Sequence, residues 1–439
     1  MPAPETASDP VLQVHTIPWP QPNPLLFLRR STGQPRFFWE SDHSPVALAG
    51  FGAAVILRAA GPGRFEDIRA EMQKLSGRIR PSGETAPHEG LPSPLWFGGF
   101  SFTGGRDPEG LWQPFGEACF ILPKYLLTRS AGQSWLTVCA VDADPFAAQD
   151  ALWELPAPYD VPPPNGHPAH AVPDELMSAA AWAGLVDAAT AEIASGELGK
   201  VVLARAVEIR AALNPLAVVS RLAARYPDCY RFLFEPEAGR AFFGATPELL
   251  ARRAGRCFST MALAGSARRG ATLEEDESLG QDLLDSAKDR REHEFVVRAI
   301  EMTLAGLVRT YEKHATRLLK LSNIQHLQTP FTGEICDETD LLEMVAALHP
   351  TPAVGGIPRA GALDFIEAGE TVSRGWYASP VGWLDFRGNG EFAVALRSAV
   401  TDGRTTRLYA GAGIVADSDP EHEWRETRLK FRPMLEAIL

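Results

Sequence analysis

The sequence predicts an α+β fold in which antiparallel strands dominate and helices lie outside the sheet. Strand-like segments recur along the chain without the strand–helix–strand alternation that a parallel sheet requires. Near the C-terminus, WYASPVGWLDF, EFAVALRSAV and TRLYAGAGIV are joined by RGNG and TDGR, which are typical of tight hairpin turns. These three segments therefore predict an antiparallel meander, followed by a helix that begins near Ser418.

The first half of the chain is predicted to consist mainly of strands. Residues 1–22 are acidic and rich in proline, which predicts a loose N-terminal tail. FFWESDHSPVALAGFGAAVIL predicts strands around a turn at 41–44, and RFEDIRAEMQKLSGRI has the periodicity of an amphipathic helix. LWFGGFSF, ACFILPKYLLTR and SWLTVCAV predict further strands. Residues 23–154 are therefore expected to contribute strands to a common body.

A proline-rich stretch over 155–173 separates the two halves of the chain. Its composition indicates a linker, which we interpret as a surface crossing rather than a true domain boundary. Residues 174–439 begin with a predicted helix, the strand KVVLARAVEI and a second helix, NPLAVVSRLAARYP. Strands joined by turns follow, and then two helices near 275–287 and 288–312.

Composition and charge argue against several classes of protein. The 439 residues are 45% hydrophobic and 22% charged, which is enough to bury a large core. A net charge of -13 makes a nucleic-acid-binding surface unexpected. The sequence has no apolar run of about 18 residues, so no membrane span is predicted. Five scattered cysteines and an N-terminus unlike a signal peptide lead us to expect a cytoplasmic protein with reduced thiols.

Two short segments concentrate carboxylates on predicted helices. In SDPEHEWRETRLKF, Glu423 and Glu426 are three residues apart on one helical face, and Lys430 lies one turn further on. In SAKDRREHEF, Asp289 and Glu292 have the same spacing. Two helices that each offer two carboxylates can hold a hard cation such as Mg²⁺ together with an anionic substrate. By spacing alone, a pair of solvated helix faces is the alternative, and it stays open.

An arginine with small neighbours lies on a predicted central strand. In EFAVALRSAV, Arg397 shares a face with Ala395 and Ala399, which leaves room for an anion beside its guanidinium. An internal salt bridge is the alternative. The following strand ends in small residues around Gly411, where a ligand could approach the backbone. GAGIVA also matches a dinucleotide-binding pattern, but the surrounding hairpins are not a strand–helix–strand unit, so we discount a nucleotide site.

Three ionisable residues stand next to apolar segments. Lys200 begins the β-branched run KVVLAR, and a buried lysine loses proton affinity and can act as a base. Glu248 follows a turn in FFGATPELL, and burial of a carboxyl group raises its pKa, so it could act as an acid. The alternatives are an exposed strand-edge lysine and a glutamate at a helix N-terminus. His326 in NIQHLQTPF could orient a substrate hydroxyl, although a lone histidine is often structural.

Motifs over residues 175–439 together resemble the chorismate-utilising enzymes. The family includes isochorismate, salicylate, anthranilate and aminodeoxychorismate synthases. The resemblance is strongest to the isochorismate synthases, because Lys200 stands where the aminating synthases usually carry another residue. The motifs occur in the order KVVLAR, FFGATPELL, LAGSARRG, KDRREHEFVV, HLQTPFTGEI, LHPTPAVGGIP, RGWYASPVGW, ALRSAV and AGAGIVADSDPEHEWRETRLK.

The resemblance implies a set of site residues. Lys200 would be the water-activating base and Glu248 the acid. Mg²⁺ would be ligated by Glu292 and Glu426 and supported by Asp289 and Glu423. The substrate-binding residues implied by the motifs are Gly265, Ser266, His326, Tyr377, Arg397, Gly411 and Lys430.

The resemblance also implies a fold and an activity. The fold would be a large two-sheet antiparallel β-sandwich flanked by helices, like aminodeoxychorismate synthase, with 174–439 as the chorismate-binding catalytic region. The activity would be the Mg²⁺-dependent conversion of chorismate to isochorismate, which feeds menaquinone or siderophore synthesis. Salicylate synthase is the main alternative, followed by an aminating synthase and a non-catalytic chorismate-binding regulator. We expect no glutaminase subunit, because the sequence has no glutaminase nucleophile motif. The resemblance also implies a monomer, since members of the family are often monomeric.

Overall fold

A computed structural model describes residues 11–31, 33–81, 93–105, 109–156 and 171–439. The strands are β1 (Leu12–Pro18), β2 (Arg36–Glu40), β3 (Val46–Ala59), β4 (Ile79–Pro81), β5 (Leu95–Phe100), β6 (Ala118–Ser130), β7 (Gln133–Val141), β8 (Asp174–Glu175), β9 (Lys200–Arg210), β10 (Tyr230–Glu237), β11 (Arg240–Thr246), β12 (Leu249–Ala254), β13 (Cys257–Arg268), β14 (Val308–Lys313), β15 (Arg317–Lys320), β16 (Ile324–Ile335), β17 (Gly356–Ile357), β18 (Pro380–Asp385), β19 (Gly390–Val394), β20 (Ser398–Thr401) and β21 (Thr405–Ile414). The helices are α1 (Pro24–Leu28), α2 (Arg64–Ser76), α3 (Pro145–Glu154), α4 (Ala179–Ser195), α5 (Pro215–Arg225), α6 (Leu273–Asp285), α7 (Ala287–Leu304), α8 (Leu341–Leu348), α9 (Arg359–Gly369) and α10 (Pro420–Ile438), with a short 3₁₀ helix at Gly110–Trp112.

The strands form one continuous, antiparallel sheet that divides at β6. One edge of β6 pairs with β3, and the other edge pairs with β7 and, nearer its start, with β5. From β3 the sheet continues through β2, β10, β11, β20 and β21 to β9. From β5 it continues through β18, β19, β12 and β13 to β16. Among the described strands, the short pairing of β1 with β4 is the parallel exception.

The two arms of the sheet pack against each other through aromatic side chains. Phe37 of β2 stacks on Phe97 of β5 with ring centroids 5.6 Å apart. Trp39 of β2 donates a hydrogen bond from Nε1 to the buried carboxylate of Glu391 on β19, at 2.9 Å. Because side chains alternate along a strand, each arm can turn one apolar face to this core. The predicted α+β fold, with two antiparallel layers and flanking helices, is confirmed.

The N-terminal half and the C-terminal half share this sheet. β2 pairs with β10, and β5 pairs with β18. The prediction of a loose tail over 1–22 is wrong for Leu12–Pro18, which pair with β7 along their whole length. Val14 and Leu12 are buried there, so burial of apolar side chains outweighs the local proline content. Residues 1–10, and 157–170 of the predicted surface crossing, lie outside the described residues.

Two predicted elements differ in the structure. The helix expected over 288–312 ends at Leu304, and β14 follows it. The expected strand EFAVALRSAV is divided into β19 and β20, because Arg397 has a φ of 48° and cannot continue a pleated strand. In the described part of the chain, no helix is both long enough and apolar enough to cross a membrane.

Candidate active site

A cavity of about 440 Å³ lies between α7, α10 and the strands β9, β13, β16 and β21. It collects residues that are more than 200 positions apart in the sequence, which no local pattern could bring together. All the predicted site residues except Lys200 line it, namely Glu248, Gly265, Ser266, Asp289, Glu292, His326, Tyr377, Arg397, Gly411, Glu423, Glu426 and Lys430.

Capping residues position the two helices that carry the carboxylates. Ser286 accepts a hydrogen bond from the backbone N–H of Asp289 at 3.2 Å, so α7 starts just before the acidic residues. Asp419 caps α10 in the same way by accepting from the N–H of His422 at 2.8 Å, with Pro420 in the first turn. Asp289 and Glu423 therefore lie in the first turns of their helices, where the helix dipole favours negative charge, and Glu292 and Glu426 follow in the next turn.

The carboxylates of α7 and α10 form a dense negative cluster. Burial raises the pKa of Glu423, and Glu426 raises it further. Burial and the charge of Glu292 likewise raise the pKa of Asp289, against a hydrogen bond from Ser286. Burial also acts to raise the pKa of Glu426, but Lys430 outweighs it and leaves that pKa below its ordinary value. The alternative of two separate solvated helix faces is therefore wrong.

The cluster has the donor set that a divalent cation needs. One ligand atom from each of His422, Glu423 and Glu426 lies within 4.8 Å of the others. Oε1 of Glu423 is buried and accepts no hydrogen bond from a described residue, although the ammonium of Lys288 lies 3.6 Å away. A buried carboxylate oxygen with room beside it is costly unless a cation neutralises it. These residues therefore fit a hard divalent ion such as Mg²⁺.

Lys200 lies directly behind the cavity wall. Its side chain is fully buried, and Nζ donates a hydrogen bond to Oε1 of Glu292 at 2.8 Å. Gly413 lies against this pair, because a Cβ there would be 2.5 Å from Oε1 of Glu292 and 3.1 Å from Cε of Lys200. Lys200 is therefore neither an exposed strand-edge residue nor open to the cavity, and it reaches the cavity through Glu292.

Glu248 reaches the cavity from the connection between β11 and β12. It is 2% exposed, and burial raises its pKa to about 8, even though Lys200 and Arg397 act to lower it. Glu248 therefore keeps its proton at neutral pH and can donate it. The alternative of a helix N-terminal carboxylate is wrong, since strands flank Glu248 on both sides.

His326 is a neutral hydrogen-bond acceptor toward the cavity. Burial lowers its pKa to about 3. Its Nδ1 lies 3.2 Å from the carbonyl oxygen of Gly265 and 2.9 Å from Oγ of Ser266. Because a carbonyl oxygen only accepts, we assign the ring proton to Nδ1. Nε2 is buried without a partner among the described residues and is left as an acceptor.

Arg397 and Lys430 supply positive charge on the side of the cavity that faces Glu248. Arg397 is buried, burial lowers its pKa, and no carboxylate among the described residues forms an ion pair with it. The expected alternative of an internal salt bridge is therefore wrong. Lys430 pairs with Glu426 and donates to the carbonyl oxygen of Gly411 at 2.9 Å. Tyr377 completes this side, and its ring stacks on Tyr409 at 5.0 Å.

Sequence reasoning missed several residues that line the cavity. Lys288 and His422 each adjoin a predicted ligand, so the acidic clusters themselves were the available signal. Val354 belongs to LHPTPAVGGIP and Arg374 to RGWYASPVGW, two motifs that carried the family resemblance, but neither residue was predicted to line the site. The spacing of these residues carries no chemical signal, because only the fold brings them to the cavity.

Comparison with known sequences agrees with this geometry. The chain is 40% identical over 417 residues to a "salicylate biosynthesis isochorismate synthase" of Pseudomonas aeruginosa, covering 92% of this chain and 85% of that protein. It is 33% identical over 437 residues to isochorismate synthase MenF of Bacillus subtilis, covering 95% of this chain and 91% of that one.

Solved structures show the same architecture. The menaquinone-specific isochorismate synthase MenF from Escherichia coli superposes with a TM-score of 0.83 at 27% identity, over 98% of this chain and 95% of that one. Anthranilate synthase component I from Streptococcus pneumoniae shares the fold at a TM-score of 0.69 and 19% identity, over 99% and 94% of the two chains. The family model described as "Chorismate binding enzyme" matches residues 3–439, and the chain therefore belongs to that family.

Proposed function

We propose that this chain is a Mg²⁺-dependent isochorismate synthase, which converts chorismate to isochorismate. The observation that carries the proposal is the position of two buried ionisable groups at one cavity of a chorismate binding enzyme: Glu248, whose pKa is raised by burial, lines the cavity, and the amine of Lys200 lies directly behind its wall. A hydroxyl shift on the ring needs both a proton acceptor and a proton donor. The names of the relatives with 40% and 33% identity support the same activity.

In the proposed reaction, water is added at one ring carbon and lost from another. The amine of Lys200 accepts a proton from the water that attacks carbon 2, and the double bonds shift. Glu248 gives its proton to the hydroxyl that leaves carbon 4 as water. One water enters and one leaves, so substrate and product are isomers. Nζ of Lys200 must turn from Glu292 toward the ring, which its flexible stem allows.

The cationic residues and His326 would bind and orient the substrate. Arg397 forms no ion pair with a carboxylate in the described part of the chain, so it can form a bidentate contact with one carboxylate of chorismate. Nε2 of His326 can accept a hydrogen bond from a ring hydroxyl. Tyr377 and the backbone of Gly411 line the same wall.

The acidic cluster would hold the metal ion. Glu292, Glu423 and Glu426 would supply ligands, with Asp289 in support. When bound, Mg²⁺ would supply the positive charge that lets an acidic pocket accept the second substrate carboxylate. The chain's own contribution is to hold these carboxylates at fixed positions in capped helices.

The test is a product analysis with the purified full chain, chorismate and MgCl₂. We expect isochorismate, identified by chromatography, and no product when EDTA replaces magnesium. Salicylate together with pyruvate would instead identify a salicylate synthase. An amino product that forms only with added ammonium would identify an aminating enzyme. Binding of chorismate without turnover would identify a regulator. Either of the last two outcomes would contradict the proposal.

A further inference from the structure

Arg374 lies in the wall between two cavities. It lines the candidate active-site cavity and also a second cavity of about 370 Å³, which is bounded by residues from 101–103, 109–117 and 366–375. Only 4% of Arg374 is exposed, so its charge needs partners within the protein. None of the roles proposed above uses it.

The guanidinium of Arg374 joins two backbone segments of the active-site wall. Nη2 donates to the carbonyl oxygen of Val202 on β9 at 2.7 Å, and Nη1 donates to that of Val354 at 2.8 Å. Both valines line the candidate active-site cavity. One face of the guanidinium lies 4.3 Å from the ring centroid of Phe102, which comes from the second cavity.

Glu370 completes this arrangement. Nε of Arg374 donates to Oε2 of Glu370 at 2.8 Å, and Nη2 contacts Oε1, so the pair is bidentate. Oε1 also accepts a hydrogen bond from the backbone N–H of Ala204 on β9 at 2.7 Å. The backbone carbonyl of Arg374 accepts from the N–H of Tyr377 at 2.8 Å. One ion pair therefore ties β9 to the loop around Val354 and to the segment that carries Tyr377.

We propose that Arg374 is a positioning residue which, together with Glu370, holds β9 and thereby Lys200 at the working distance from the substrate. Val202 is two residues after Lys200 on the same strand, so both side chains point to the same face. A shift of β9 away from Val354 would carry Lys200 with it. The inference rests on the proposed function, because it assigns the positioning to the reaction of Lys200.

A lysine cannot replace this arginine. Arg374 donates in three directions at once, and a lysine offers one compact charge without the planar fork. Arg374→Lys keeps the charge, and we expect kcat to fall by about 100-fold, the cost of displacing a reacting group by about 1 Å. KM for chorismate should stay near the wild-type value, because Arg397 and Lys430 are unchanged.

Arg64→Lys is the matched control. Arg64 is also buried, donates to the carbonyl oxygens of Gly61 and Ser101, and covers the ring of Phe65 at 4.9 Å. It does not line the candidate active-site cavity. We expect this variant to lose thermal stability while it keeps wild-type kcat. Equal losses of kcat in the two variants would overturn the proposal, since the effect would then be general destabilisation.

Chemical rescue gives a second and independent readout. In Arg374→Ala, guanidinium ion at millimolar concentration should enter through the second cavity and restore a large part of kcat. The same addition should leave the wild type and Arg64→Ala unchanged. Failure of guanidinium to raise the activity of a folded Arg374→Ala variant would count against positioning by the guanidinium group.

Glu370→Gln keeps the proposal testable if the arginine variants do not fold. The glutamine fills the same space but removes the charge, and we expect a fall in kcat with KM unchanged. Wild-type kcat in this variant would overturn the proposal. If the wild type makes no isochorismate from chorismate, the proposed function itself fails. If the wild type is active and the Arg374 and Glu370 variants are fully active too, only the positioning role of Arg374 is refuted.

Discussion

At the scale of single residues, burial determines what Glu248 can do. Its pKa is raised to about 8 by burial, so the folded chain holds a proton that the unfolded chain releases above the ordinary value of 4.5. Because of this raised pKa, Glu248 holds a proton at neutral pH, and the free energy of unfolding depends on pH. Between about 4.5 and 8, the folded state binds more protons at this site than the unfolded state does.

The first prediction follows from this shift in the pKa of Glu248. The stability contribution of Glu248 should be complete below pH 4.5 and should be lost as the pH rises through about 8. Glu248→Gln should remove this part of the pH dependence, measured as Tm across that range, and should abolish turnover. Glu197→Gln, on an exposed turn, is the control. Full turnover in Glu248→Gln would rule out its role as the acid.

Gly413 provides the second prediction. Gly413→Ala would place a Cβ 2.5 Å from Oε1 of Glu292. Because this contact would push the Glu292 carboxylate away from Lys200, we expect kcat to fall by about 10- to 100-fold. Overpacking should cost about 1–3 kcal/mol of stability. In Gly184→Ala, an added Cβ meets no atom within 4 Å, and helical alanine should be neutral or stabilising. An alanine at 413 with wild-type kcat would show that the Lys200–Glu292 geometry is not needed.

At the scale of elements, two helix starts and one broken strand build the site. α7 and α10 come from positions far apart in the sequence, yet their first turns face one cavity. The break between β19 and β20 matters equally. The left-handed backbone at Arg397 and at Ala378, with φ values of 48° and 60°, turns both residues to the cavity wall. Such strain persists only where the surrounding structure holds it.

The third prediction concerns metal binding by the two helices. Glu426→Gln should abolish measurable Mg²⁺ binding in titration calorimetry, because it removes a ligand. Asp289→Asn should weaken binding by roughly 10- to 100-fold, as expected for a supporting residue. Glu421→Gln is the control, since this carboxylate is 72% exposed and pairs with Arg425 on the outside of the same helix. Equal Mg²⁺ affinity in all three variants would remove the metal site from this cavity.

At the scale of the whole molecule, the sheet makes the two halves of the chain interdependent. β2 and β5 from the first half pair with β10 and β18 from the second. Without these partners, the C-terminal strands would expose unpaired edges and the apolar face of the shared core. The proline-rich stretch between the halves therefore does not divide the protein into units with separate cores.

The fourth prediction tests this interdependence. A fragment of residues 171–439 should fail to show the cooperative unfolding transition of the full chain, followed by circular dichroism. Adding a fragment of residues 11–156 should restore the transition, because the strand pairs can re-form between fragments. The full chain should show a single transition under the same conditions. A cooperative transition for 171–439 alone would show an independent domain.

Local sequence patterns are enough to predict most elements and the kinds of chemistry at the site. Periodicity, turn residues and caps act over a few neighbours, so the helices that carry Asp289 and Glu423 and the C-terminal meander could be predicted. The family motifs also named the residues that now surround the cavity. Sequence patterns do not establish the burial or the shifted pKa values of Glu248 and His326, because these depend on atoms supplied by distant strands.

The positions of these groups and their contacts depend on the complete fold. It paired Lys200 with Glu292, left Arg397 without an ion-pair partner among the residues that the structure describes, and placed Arg374 between two cavities. Leu12–Pro18 form a strand because β7, which is distant in the sequence, supplies backbone hydrogen-bond partners. The composition of residues 1–22 does not predict this pairing. Contacts such as Lys200–Glu292 and Trp39–Glu391 join residues that are 92 and 352 positions apart, so their energies exist only after the sheet has formed.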